Sequence, residues 1–391
     1  MNNSGKPVIL YLSRWYPPDS GHFVKDIARA SSQYCRVSVI AAIPDPRIRL
    51  FKFRTEYNPD PELPLQTVRV YFGSITSGML SRMINPVLYL LAQAIGYKFL
   101  VGRGLKFDLV HVHVLTRTAL FAFLLKLIRG TPYIITEYWT RYLPDSLAYR
   151  GFVRRKITSL LVKRADAMVC ISQYLAEAMI RQGLRNHNYR VIPLAIRTGQ
   201  FVPGVSSEEK QVKRIIHIST FNNHSKNVFG ILRAAKRLSL LRNDFELHMV
   251  GGAGTFLNET IDFARVIDPE GKYVIFHAAK FGIELAEEIR KSSFLLMFSN
   301  YETFSAVIQE CLSCGIPVVA TRAGAVPEYF NPGSGILVAP GDEDALVGSL
   351  DYMLDHYRDY DRNEIREHVV RRFSYEVIGN TYYQLYKQLS S

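Results

Sequence analysis

Two glutamates, Glu302 and Glu310, are the residues whose type and setting best suit chemistry in this chain. They lie in the stretch SNYETFSAVIQECLSCGIPVVATRAGAVPEY, residues 299–329. At ~100° per helical residue, eight residues turn them roughly 80° apart, so one helical face does not carry both. The stretch instead reads as loop, helix and strand. Glu302 falls in a polar loop. Phe304, Val307, Ile308, Cys311 and Leu312 then repeat at i, i+3, i+4, i+7 and i+8, an amphipathic helix with Glu310 about two turns in. Gly315 stands where a helix end favours a left-handed residue, and residues 316–320 are apolar enough for a strand covered on both faces. The first-turn amides of Thr303, Phe304 and Ser305 would form an anion site suited to phosphate. A carboxylate beside phosphate repels it, so Glu302 is expected to face a neutral polar group. Glu310, deeper in the helix, suits ribose hydroxyls.

Glu302 and Glu310, followed by Cys-Gly-Ile-Pro-Val-Val-Ala-Thr at 314–321 and by Pro327-Glu328, resemble the donor-site signature of the retaining glycosyltransferases of family 4. That resemblance implies a GT-B fold: α/β, with two doubly wound Rossmann-like domains facing across a cleft and closing on their substrates. Residues 1–195 would form the N-terminal acceptor domain, with 375–391 packing back on it, and 196–374 the donor domain. It implies Glu302 at the donor sugar, Glu310 at the ribose, and Lys226, in HSKNVFGIL, at the diphosphate. Thr220 stands where the family has an Arg, with His224 as the other cation nearby. Gly252 and Gly254 follow a strand in MVGGAGT, where glycine permits close backbone approach, and the backbone at 277–280 is where the family seats the base. In the N-terminal half, Gly21 remains of a Gly-Gly pair, His113 ends a His-x-His strand, and Tyr138 replaces the family's His. A phenol still donates a hydrogen bond.

The implied reaction moves a sugar from a UDP- or GDP-sugar to a hydroxyl of a glycan or lipid-linked acceptor, with retention and without metal or other cofactor. Its setting would be cell-surface polysaccharide or lipopolysaccharide biosynthesis. The rival readings are a catalytically degenerate relative that binds sugar nucleotide or membrane, and a nucleotide-sugar epimerase. A phosphorylase would need a cofactor lysine motif that is absent from the sequence.

The elements that must hold these residues fit 391 residues in two domains. Buried strands are expected at 7–12, 36–42, 67–72, 107–113, 131–136, 166–172, 214–220 and 245–250, with residues 43–65 irregular. Residues 79–105 read as one long amphipathic helix carrying Arg82, Lys98 and Arg103. Four cysteines suggest a reducing compartment, and Cys311-x-x-Cys314 belongs to the apolar stripe rather than to a metal site. No stretch reaches the ~18 uninterrupted apolar residues of a membrane span. Net charge is +13, and residues 1–195 hold 27 Lys and Arg against 11 Asp and Glu, a net +16. The absence of a nucleic-acid motif points this charge away from nucleic acid and towards an anionic membrane surface or a phosphate-bearing acceptor. The expected location is cytoplasmic, with peripheral attachment at the inner face of the plasma membrane.

Overall fold

Short apolar runs rich in branched residues become the middle strands of two sheets, because a strand covered by helices on both faces must be apolar on both. The computed structural model describes residues 5–16, 22–61, 63–115, 117–144, 146, 148–204, 212–252 and 254–390. The chain divides into two units, residues 1–195 with 375–391, and residues 196–374.

In the first unit the elements run β1 (Val8–Ser13), α1 (His22–Ser32), β2 (Arg36–Pro44), β3 (Phe53–Pro59), β4 (Leu65–Phe72), α2 (Met79–Gly102), β5 (Leu109–His113), α3 (Arg117–Arg129), β6 (Tyr133–Glu137), α4 (Phe152–Arg164), β7 (Ala167–Cys170), α5 (Gln173–Arg181) and β8 (Tyr189–Val191). The sheet order is β3-β4-β2-β1-β5-β6-β7-β8. All neighbours pair in parallel except β3 and β4, which are antiparallel. β3 corrects the expectation of an irregular segment. It is an edge strand whose Arg54 and Glu56 pair in solvent, so it carries no apolar pattern to read.

The second unit runs β9 (Lys213–Ser219), α6 (Asn223–Lys226), α7 (Val228–Leu238), β10 (Phe245–Gly251), α8 (Gly254–Ile267), β11 (Val274–His277), α9 (Gly282–Arg290), β12 (Phe294–Met297), α10 (Ala306–Ser313), β13 (Val318–Thr321), α11 (Val326–Tyr329), β14 (Gly335–Val338), α12 (Glu343–His356) and α13 (Arg362–Phe373). Its parallel sheet has the order β11-β10-β9-β12-β13-β14. Strand residues Ile215, Leu247 and Phe294 pack with Ile231 and Leu238 of α7 in one core. Cys311 and Cys314 are both buried free thiols, and burial holds Cys314 up at about 12, too high for a ready nucleophile.

The last helix, α14 (Tyr375–Leu389), belongs to the first unit. It is held there by a buried polar chain. The Tyr386 hydroxyl bonds Tyr11 at 2.6 Å and His111 Nδ1 at 2.7 Å. His111 Nε2 meets Thr136 at 2.6 Å, and Tyr382 meets the same hydroxyl at 3.3 Å. Its contact with α1 leaves no room for a side chain at Gly379, where a Cβ would lie 2.2 Å from the Ala30 carbonyl oxygen. Gly379→Ala is expected to destabilise the protein by about 1–3 kcal/mol through overpacking. A urea midpoint unchanged from wild type would contradict this close approach.

Candidate active site

The residues expected at the donor cluster at the carboxyl ends of β9, β10 and β12, where parallel α/β sheets bind ligands. At the end of β9, His217 is buried. Its Nδ1 donates to the Leu296 carbonyl at 2.9 Å, which leaves Nε2 to accept from the Ser219 hydroxyl at 2.8 Å. Ser219 Oγ in turn accepts the Phe221 amide at 3.0 Å. This fixes a turn in which Phe221 has φ 60° and Thr220 is exposed. Burial lowers the His217 pKa to about 4. The end of β10 lies against the same turn. The Gly252 amide donates to the Ser219 carbonyl at 2.9 Å. Gly252 has φ 73°, and a Cβ there would lie 2.4 Å from the Phe221 ring. Gly254 opens α8 at φ 55° with open space around its Cα.

Three asparagines then place Lys226. Asn222 caps α6, Asn227 caps α7 from a left-handed conformation, and Asn223 Oδ1 accepts the Phe229 amide at 2.9 Å. Lys226 Nζ meets Glu302 Oε1 at 2.5 Å, and Ser299 Oγ donates to the same oxygen at 2.8 Å. Among the described residues Oε2 of Glu302 accepts no hydrogen bond. The Lys226 side chain is 22% exposed and that of Glu302 8%. The expectation that Glu302 faces a neutral group is therefore corrected: an ammonium and a hydroxyl share its inner oxygen. The backbone is tied as well. The Asn300 amide donates to Ser225 O at 2.9 Å, and Ala325 N donates to Glu302 O at 3.1 Å. Gly324 has φ 56°, and a Cβ there would lie 2.0 Å from that carbonyl oxygen.

The helix start also differs from expectation. α10 begins at Ala306, with Ser305 at its N-cap in a left-handed conformation (φ 65°) and giving no side-chain cap. The first-turn amides are thus those of residues 306–308 rather than of Thr303, Phe304 and Ser305. The Phe304 ring is buried edge-on against Tyr329 and Phe373 and anchors the loop. An apolar side chain on the helical stripe looks the same in sequence whether it lies one turn inside the helix or just before it. Glu310, half-buried, is the fifth residue of α10, nearer the helix start than expected. His224 is exposed beside the Tyr301 ring, at 5.6 Å. At the end of β11, His277 stacks on His248 with a 2.8 Å contact between ring nitrogens, and Lys280 pairs with Glu288 at 2.7 Å. Ser219, His217, Ser299 and the asparagine caps escaped sequence reading. Only the Asn-rich run before an apolar helix carried a signal, that of a cap.

In the first unit His113 and Tyr138 meet each other, His113 Nδ1 to the phenol oxygen at 2.6 Å. Both are buried, and burial lowers the His113 pKa to about 3. The Nε2 of His113 has no partner among the described residues. Glu137 shapes the turn beyond β6: its carboxylate accepts the amides of Leu115, Tyr138 and Trp139 at 2.8–3.1 Å. Burial raises its pKa, and these bonds oppose that. Gly21 lies outside the described residues. Among the described residues, no three His, Cys, Asp or Glu side chains converge as a metal site.

Residues 202–369 match the family described as glycosyl transferases group 1, and residues 21–195 match the glycosyl transferase 4-like domain. The chain is a glycosyltransferase that carries both domains. The MMP alpha-(1->4)-mannosyltransferase of Mycolicibacterium hassiacum is 26% identical to this glycosyltransferase over 408 residues, covering 95% of each chain. The lipopolysaccharide 1,6-galactosyltransferase of Escherichia coli is 26% identical over 190 residues, 48% of this chain and 52% of that one. The Anabaena protein HepE, solved in complex with UDP-glucose, superposes with a TM-score of 0.72 at 16% identity, covering 97% of this chain and 99% of that one. The two Rossmann-like sheets are those of the GT-B fold.

Two outcomes follow for this glycosyltransferase. Lys226→Met strips a mostly buried carboxylate of its cation and is expected to destabilise by about 1–3 kcal/mol. Lys226→Met/Glu302→Gln should recover part of that loss; a double variant as unstable as the sum of the single changes would contradict the pairing. The second concerns acid. Buried His217 and His113 are neutral when folded but take a proton near pH 6.5 when unfolded. The unfolded chain therefore binds more protons as pH falls. Their contribution is complete above about pH 6.5 and is lost towards about 4 and 3, with a slope approaching 1.4 kcal/mol per pH unit for each. Urea unfolding between about pH 7 and 5 checks this, and a flat profile would refute it.

Proposed function

We propose that this glycosyltransferase uses a nucleotide diphosphate sugar and transfers the sugar with retention to a hydroxyl acceptor. The observation that carries the reading is the Lys226–Glu302 pair beside the uncapped start of α10. Departure of a nucleoside diphosphate leaves negative charge on its phosphates, and donors held ready for that charge lower the barrier. Lys226 spends one of its three N–H donors on Glu302, and the other two serve the diphosphate with the first amides of α10. The Oε2 of Glu302 would accept from a sugar hydroxyl, and Glu310 would hold the ribose. Gly254 and exposed Thr220 leave room for contact with the donor, whereas the Phe221 ring fills the side-chain position at Gly252. The complex of the structural relative HepE with UDP-glucose supports a UDP-sugar. Retention and independence of metal follow from the resemblance to family 4. Lipopolysaccharide synthesis by a relative supports a place in cell-surface glycan assembly. The +16 charge of the first half supports peripheral attachment to the inner face of an anionic membrane.

A thermal-shift series with UDP, GDP and their hexose conjugates in EDTA tests the donor side. One nucleotide should raise the melting temperature by mass action, and Glu310→Ala should lose most of that shift. Absence of a shift with every nucleotide would favour the degenerate reading. Proton NMR of the product reads the anomeric configuration directly, and an inverted product would overturn retention.

A further inference from the structure

The first unit holds a cavity of about 580 Å³ walled by α2, α3, α4 and the turn beyond β6. Five arginines line it: Arg14, Arg82, Arg117, Arg141 and Arg154. Among the described residues, no carboxylate forms an ion pair with any of them. Glu137 is the nearby acid, and its oxygens already accept three backbone amides. Arg154 donates to the Ala148 carbonyl at 3.2 Å, and the Arg141 guanidinium lies on the Trp139 ring at 3.4 Å. The Nε of Arg141 is buried with no hydrogen-bond partner. Burial and then the charge of Arg14 lower the Arg117 pKa; burial lowers that of Arg141, opposed by Tyr142 and Glu137, with Arg154 and Arg14 adding to the lowering. Gathered like charges destabilise a fold and concentrate an anion. Guanidinium groups match phosphate oxygens in pairs.

Much of the remaining wall is apolar, from Pro86, Leu120, Val153, Ile157 and Leu161, with Thr158 and three tyrosines among them. The apolar surface continues outward on both flanking helices. The first half of α2 exposes Met79 (78%), Leu80, Met83 and Val87. The second half turns inward, with Leu88, Ala92 and Leu100 buried. On the other side, α4 exposes Phe152 (76%), Val153, Ile157 and Leu160. An exposed apolar patch of this kind marks a surface for a lipid or a partner. Here it borders a cationic pocket, and Arg155, Lys156, Lys163 and Arg164 share α4 with it. Apolar residues interleaved with basic ones are the pattern of an interfacial helix.

We propose that this pocket seats the phosphate or diphosphate of a membrane-embedded lipid, with the hydrocarbon chain running out between α2 and α4. The arginines hold the phosphate and the helices rest in the membrane interface. That the lipid carries the acceptor hydroxyl rests on the transfer reading above; its binding does not.

Flotation of the full chain with three kinds of vesicle tests this: phosphatidylcholine alone, phosphatidylcholine with a long-chain isoprenyl phosphate, and phosphatidylcholine with phosphatidylserine at matched charge. The isoprenyl phosphate vesicles should bind best. Arg117→Gln/Arg141→Gln should weaken that binding about tenfold or more, as loss of charge-assisted phosphate bonds requires. Arg36→Gln/Arg185→Gln, exposed arginines outside the pocket, should leave it near wild type. Arg14→Gln/Arg82→Gln, at exposed positions, gives the same readout should the first pair fail to fold. Val153→Ser/Ile157→Ser should weaken vesicle binding while leaving competition by inorganic pyrophosphate intact. Equal losses from pocket and control pairs would reduce the effect to general surface charge and overturn the proposal. Tight pyrophosphate binding without preference for phosphate-bearing vesicles would assign the pocket to a soluble phosphate and overturn the lipid. Lipid binding that persists while no nucleotide shifts the melting temperature would leave the pocket standing and remove the transfer reading.

Discussion

A carboxylate that is nearly buried must be paired, and the candidate site of this glycosyltransferase depends on how Glu302 meets that demand. An unpaired ion in such a place is strongly destabilising. Lys226 and Ser299 answer it on one oxygen. Each partner comes from a different strand end, Lys226 after β9 and Ser299 after β12, so the pair clamps two loops. Thr321 extends the clamp to β13 by donating to the Ser299 carbonyl at 2.6 Å. The side chain that faces substrate in the proposed function is thus also the one that orders the loops around it. Preorganisation of this kind is what lets a fixed charge act on a leaving group without reorganising.

The first unit solves a different problem. Its terminal helix returns from residue 375 and must dock in one register on a sheet formed much earlier in the chain. Apolar burial alone would tolerate slippage. The chain Tyr11–Tyr386–His111–Thr136–Tyr382 has directional bonds that one register satisfies, and a buried polar chain is stable only when satisfied. His113, on the same face of β5 as His111, is finished on one nitrogen by Tyr138 and left open on the other.

The two units also differ in how their clustered charges are met. In the second, Arg242 is met by Asp244, Asp351 and Asp355, and Glu288 by Arg214, Lys280 and Lys291. These are structural charges, neutralised locally. In the first, no carboxylate among the described residues forms an ion pair with the pocket arginines. The unequal charge of the two halves is therefore a matter of placement as well as of count: five arginines gather around one cavity.

Much of this was legible in the amino-acid sequence. Continuous apolar runs marked the buried strands, Gly315 marked the end of α10, and Glu302 with Glu310 and the residues after them carried the resemblance to a glycosyltransferase family. Those signals are local, set by periodicity, glycine conformation and the spacing of a motif. Three features were not local. The edge strand β3 has no apolar face, and only pairing with β4 makes it a strand. The start of α10 was read too early, because Phe304 is buried by Tyr329 and Phe373 rather than by the helix. The partner of Glu302 lies 76 residues earlier in the chain, and no spacing rule connects them. The same holds for the arginine pocket, whose members range from Arg14 to Arg154. The sequence determined the family, the sheet-forming segments and the excess of positive charge. Tertiary structure decided which charges are neutralised and which are left to meet a ligand, because ion pairing depends on distances of a few ångströms between residues far apart in the chain.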